Sequence, residues 1–175
     1  MKMDEGLDTG DMLYKCEVSI TATETSASLY EKLSQVGPKS LIETLDRLPH
    51  LIPEQQDNQA ATYAQKLSKE EARIDWHSDA LQLERNIRAF DPWPIAWFTV
   101  NEHAIKVRQA RVANETPVHA KPGEIISANK GGICIATGQG ALVLQTIQIP
   151  GKKAMPVSDV LNSKADWFVE GSVLS

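Results

Sequence analysis

The sequence predicts a short α/β piece at the front, followed by a mainly β, small barrel unit with flanking helices. Three observations predict this. A strand-like run and one long amphipathic segment fill roughly the first fifty residues, a proline- and glutamine-rich stretch follows, and then come five short β-forming runs separated by turn residues. At 175 residues the chain has room for one ordinary domain, or for a small domain with part of another.

Taken in order, the opening EGLDTGD is turn-rich, with Gly6 and Gly10 bracketing Asp8. Residues Met12 to Ile20 alternate imperfectly and predict a strand. In the segment after it, Leu29, Leu33 and Val36, then Leu41, Ile42, Leu45 and Leu48, recur at helical spacing, with Thr25 or Ser26 as the N-cap. Gly37-Pro38 is expected either to kink that helix or to split it. A strand and one helix cannot bury both faces of a parallel sheet, so residues 1–48 are expected to need further partners. Residues 49–65, with two prolines, four glutamines and little periodicity, read as a linker.

The unit expected over 76–175 begins with a helix that places Ala80, Leu83, Ile87 and Phe90 on one face and ends at DPWP, where two prolines cannot continue it. The runs AWFTV, AIKVRQARVA, GEIISA, GICIAT and ALVLQTIQI are rich in β-formers, with NE, KPG, NKGG and GQG between them. Five such strands predict a closed or partly open barrel. Ser158 is expected to cap a closing helix.

Composition narrows the function classes. No apolar run is long enough to span a membrane, and the acidic N-terminus is unlike a secretory signal, so a cytoplasmic protein is expected. Cys16 and Cys134 suggest no disulfide framework, and the four histidines show no metal-ligand spacing, so no metal is expected. The net charge of −5 is unevenly placed: residues 1–65 carry five basic and eleven acidic residues, whereas 66–175 carry thirteen basic and twelve acidic. A basic face on the second part therefore remains open to a polyanion.

Several strings carry a resemblance. EGLDTGDM at 5–12 resembles the aspartate loop of folate-dependent formyltransferases, and TYAQKLSKEEARIDW at 62–76, RAFDPWPIAW at 88–97, GKKAM at 151–155 and DVLNS at 159–163 are similar to methionyl-tRNA formyltransferases in order and spacing. The resemblance implies the C-terminal half of such an enzyme: residues 1–48 as the end of a Rossmann-like catalytic domain, 49–75 as its linker, and 76–175 as an OB-like tRNA-binding domain. It also implies formyl transfer from 10-formyltetrahydrofolate to the amino group of methionyl initiator tRNA, with neither membrane nor DNA as a partner. The family's catalytic asparagine and histidine have no counterpart here, so Met1 is not expected to begin a complete enzyme, and this chain alone is expected to be inactive.

Each candidate residue has two readings. The resemblance makes Asp8 the catalytic aspartate that assists proton transfer, whereas the local sequence makes it the cap of a tight turn. Lys66 and Lys69 resemble the family's linker lysines, which run near tRNA; otherwise they are a solvated pair beside Glu70 and Glu71. Lys106 and Arg108 project from one strand face opposite Ile105 and Val107, and Lys152 and Lys153 follow Gly151 in a loop, so all four could meet an RNA backbone or simply face water. Arg85 and Arg88 read as helix-surface charges. Trp76, Trp93, Trp97 and Trp167 read as core, and Gly138 and Gly140 as a hairpin turn. Two alternatives to the tRNA enzyme are a sugar-nucleotide formyltransferase and a non-enzymatic RNA-binding module.

Overall fold

The computed structural model describes residues 1–114 and 119–174. The chain forms two compact units, Met1–Lys66 and Leu67–Ser175.

In the first unit the dominant element is helix α1, Ser26–Arg47. Thr25 caps it: its hydroxyl accepts from the Ser28 N–H while the Ser28 side chain accepts from the Thr25 N–H, so two otherwise orphaned donors are satisfied reciprocally. Of the two outcomes expected at Gly37-Pro38, the split does not occur, because α1 runs through Pro38 as one helix. The expected strand over Met12–Ile20 is also absent. Met12 alone pairs, antiparallel, with Glu54 through reciprocal backbone bonds of 2.8 and 2.9 Å. Although its pattern is amphipathic, α1 buries no residue, and Leu33, Leu41, Ile42, Leu45 and Leu48 are each 47–61% exposed.

The second unit is built on a curled, six-stranded antiparallel sheet. Its strands are β1 Trp97–Val100, β2 His103–Val112, β3 Ile125–Asn129, β4 Gly132–Ala136, β5 Ala141–Gln148 and β6 Met155–Pro156. Their order is β1-β2-β5-β4-β3, with β6 also on β5. The alternation read from the sequence gives this sheet its inner face: Phe98, Ile105, Ile125, Ile133, Ile135, Leu142, Leu144 and Ile147 are fully buried. Helix α2, Ala80–Ala89, packs on β2 and β5 with Ala80, Leu83 and Ile87 inward, and its N-cap Asp79 accepts from the Leu81 and Gln82 N–H groups. Each buried Leu or Ile contributes about 1.5–3 kcal/mol, so these core positions outweigh any surface ion pair.

Helix α3, Val157–Lys164, closes the unit through Val157 and Val160. Its N-cap is Pro156, not Ser158, and no side chain caps it; Val157 must enter the core at the helix start, and that puts Ser158 inside the first turn. Gly138 does shape the β4–β5 connection. A Cβ there would stand 1.8 Å from the His77 carbonyl oxygen, and the Gly138 N–H donates to the Trp76 and Ser78 carbonyls.

Candidate functional site

The first unit places Asp8 at an exposed turn in the left-handed region, φ 57°. Asp is one of the few residues besides glycine that enters this region readily. Gly10 is buried next to it, and a Cβ there would meet the Lys2 carbonyl oxygen at 1.8 Å, so the turn demands glycine at this point. Among the described residues none donates a hydrogen bond to the Asp8 carboxylate, so its oxygens are free to accept.

Asp8, Leu7, Thr9 and Met12 line one wall of a cleft of about 730 Å³, whose other wall is the segment from Gln56 to Ala64. Gln56 joins the walls: its Nε2 donates to the carbonyls of both Asp8 and Gly10, each at 2.7 Å. Tyr63, 80% exposed, lines the same cleft. Sequence reasoning missed Gln56 and Tyr63, since a stretch rich in glutamine and proline offers no periodicity from which a contact can be read.

In the second unit, strand register assembles residues that are scattered in sequence. Trp97 stands opposite Lys106, and Lys106 opposite Gln148, so their side chains share the outer face across β1, β2 and β5. Trp97 Nε1 donates to the Lys69 carbonyl at 2.9 Å, and the Arg73 guanidinium lies over the indole, 5.7 Å from its centroid. Gln148 Nε2 donates to the Lys152 carbonyl at 2.9 Å. The segment before α2 that carries Lys69 and the loop after β5 are thereby pinned to the two ends of one row. Lys69, Lys106, Lys152 and Lys153 all lie exposed along it.

Arg108 does not project freely beside Lys106. The register shifts between Val107 and Gln109, and the Arg108 Nη1 donates to Asp91 at 2.8 Å with both side chains mostly covered. Lys66 is exposed at the end of the first unit. Arg88 pairs with Glu84 at 2.7 Å on α2. Of the tryptophans, Trp76 is buried, Trp97 and Trp167 are partly buried against the core, and Trp93 is 50% exposed, so Trp93 departs from the core reading. The proline turn that ends α2 carries Trp93 outward.

Among the described residues no group of three or more His, Cys, Asp or Glu side chains could hold a metal ion, and no helix is long and apolar enough to cross a membrane.

The first unit thus offers a carboxylate in a cleft, and the second a curled sheet with a cationic outer row. Residues 66–165 match the family model described as formyl transferase, C-terminal domain, and residues 1–45 match that described as formyl transferase. The chain belongs to the formyl transferase family. Among solved structures, HypX from Aquifex aeolicus in complex with tetrahydrofolic acid is similar at TM-score 0.65 and 20% identity, covering 98% of this chain and 32% of that one. WlaRD, a sugar 3N-formyl transferase in the presence of dTDP and 5-N-formyl-THF, gives 0.61 and 18%, covering 86% and 53%. The N-formyltransferase from Helicobacter canadensis in complex with folinic acid and dTDP-3-aminofucose gives 0.59 and 18%, covering 82% and 52%. The chain thus spans about a third of the HypX chain and about half of the two sugar enzymes.

Proposed function

We propose that this chain serves in methionyl-tRNA formyl transfer, in which a formyl group passes from 10-formyltetrahydrofolate to the amino group of methionyl initiator tRNA. In that reaction the amine attacks the formyl carbon, a new N–C bond forms as the carrier's C–N bond breaks, and the amine sheds a proton. Asp8 is read as assisting that proton transfer, because an exposed carboxylate with no donor bound to it keeps its acceptor capacity for a reacting group. The Rossmann-like and OB-like readings of the two units belong to the same proposal, as do the boundaries at 48 and 75.

The observation that carries the tRNA reading is the row Lys69, Trp97, Lys106, Gln148 and Lys152. A nucleotide-sugar presents two adjacent phosphates and needs a compact pocket, whereas cations spaced across three strands on an open face suit an extended backbone. Lys153 extends the row, Lys66 supplies a further cation, and Arg108, whose Nη1 is held by Asp91 and whose Nε is buried, contributes through its remaining Nη2. The test is a competition between acceptors with the full-length gene product and 10-formyltetrahydrofolate. Formylation of methionyl-tRNA, with dTDP-amino sugars left unmodified, is expected. The reverse outcome assigns the chain to the sugar enzymes, and tRNA binding without formylation of either acceptor leaves a binding module.

A further inference from the structure

We infer that Gln56 is a positioning residue for the Asp8 turn, which makes the segment from Gln56 to Ala64 a wall of the reaction site. The inference rests on the reading of Asp8 given above.

Its ground is the hydrogen-bond geometry. One amide nitrogen offers two protons, and here the Asp8 and Gly10 carbonyls, two residues apart on opposite limbs of a tight turn, each accept from it at 2.7 Å. A side chain that satisfies two carbonyls of one turn fixes their separation and so the φ, ψ angles of Thr9 and Gly10 between them. It also holds the Asp8 carbonyl in place, and the Asp8 side chain leaves from the Cα next to that carbonyl. Among the described residues the other bonds around this turn include the Lys2 N–H to Asp11 carbonyl bond, the Glu5 N–H to Asp4 carboxylate bond and the weak Thr9–Asp4 contact. Gln56 is in turn fixed by the chain before it: Met12 and Glu54 exchange backbone hydrogen bonds, so residue 56 lies two positions beyond a pinned point and reaches the turn half-buried. A linker needed only for reach would have no such bonds. Here it spends a side chain on the backbone of the residue proposed to move the proton.

Three substitutions in the full-length gene product separate the possibilities. Gln56→Leu keeps the size and removes both donors. Gln56→Asn keeps the amide but shortens it, and Gln56→Glu places an acceptor against two acceptors at neutral pH. A turn displaced by even about 1 Å costs on the order of a hundredfold in rate, so kcat should fall tenfold to a hundredfold in Gln56→Leu and Gln56→Glu while KM for tRNA changes little. Gln56→Glu should regain activity relative to Gln56→Leu as pH falls, because a protonated carboxyl donates one hydrogen bond. If Gln56 acts through Asp8, the double variant with Asp8→Asn falls no further than Asp8→Asn alone. An Asp8→Asn variant with unchanged kcat overturns the Asp8 reading itself. Where Asp8→Asn is slow but Gln56→Leu and Gln56→Glu keep wild-type kcat, or the double loss is additive, the Asp8 reading stands and Gln56 is not its positioning residue.

Discussion

Asp8 differs from most of the twenty-three acidic residues because of where its backbone is, not what surrounds its carboxylate. A left-handed turn between two glycines presents the side chain outward, and the Gln56 amide holds the turn by its carbonyls. Replacing Asp8 by Asn keeps the size and the tolerance for positive φ but removes the charge, so the expected outcome is a large fall in kcat with tRNA affinity nearly unchanged. Single-turnover kinetics beside equilibrium tRNA binding on the full-length gene product checks this, and an unaltered kcat returns Asp8 to a turn-capping role. At this scale the sequence made Asp8 and the lysines visible through residue type and neighbouring glycines. It could not show that Arg108 is engaged by Asp91, because a bulge after Val107 and a partner seventeen residues away leave no local trace.

The elements divide according to where their partners lie. Strands β1 and β2 and helix α2 were legible because each carries its burial pattern within its own length, with inward residues alternating or recurring by three and four, whereas β3 to β5 were legible as β-forming runs between turn residues. Beyond Met12 the run to Ile20 has a strand's composition without a neighbour to pair with among the described residues, and composition alone builds no ladder. Helix α1 shows the same point from the other side: its apolar residues have the right spacing but none of them is buried, so local interactions at its start carry much of its order. Glu24 is one of these. It is nearly buried and accepts from Lys32 and from the Ser28 hydroxyl, and these two bonds, Lys32 first, lower its pKa from 4.5 to about 2. A carboxylate held below its ordinary value stabilises the folded form when ionised. That contribution is complete above about pH 4.5 and is lost as pH falls toward 2. Far-UV circular dichroism of the whole chain through this window should show α1 losing helicity with acid, and Glu24→Gln should already be weakened at pH 7 and flatter across the window. Matching acid profiles for the two would mean that the Glu24 bonds do not anchor the helix.

At the scale of the whole molecule, the net charge of −5 is a poor guide, because charge acts where it is displayed. The acidic excess lies in residues 1–65, while the outer row of the second unit gathers Lys69, Lys106, Lys152 and Lys153 around Trp97 and Gln148. Every lysine of that row could be picked out from the sequence, but the row itself could not, since it depends on strands forty residues apart in register and on two side chains that bind loop carbonyls. If the row follows a nucleic-acid backbone, each phosphate contact releases counterions and adds about 0.7–0.9 to the slope of log affinity against log salt. Replacing Lys106 and Lys152 together by Ala should therefore flatten the slope by about 1.4–1.8 for tRNA and weaken binding most at low salt. Little dependence on tRNA sequence is expected, because lysines at phosphates read charge and spacing. Lys130, in the turn between β3 and β4 at the far edge of the sheet from β1, serves as the control, and Lys130→Ala should leave the slope unchanged. Trp97→Phe is the sharper variant. It removes the indole N–H that holds the Lys69 carbonyl while keeping every cation, so it should lower affinity only if the row binds as a fixed array, and equal affinity would mean that the lysines act as independent, mobile charges.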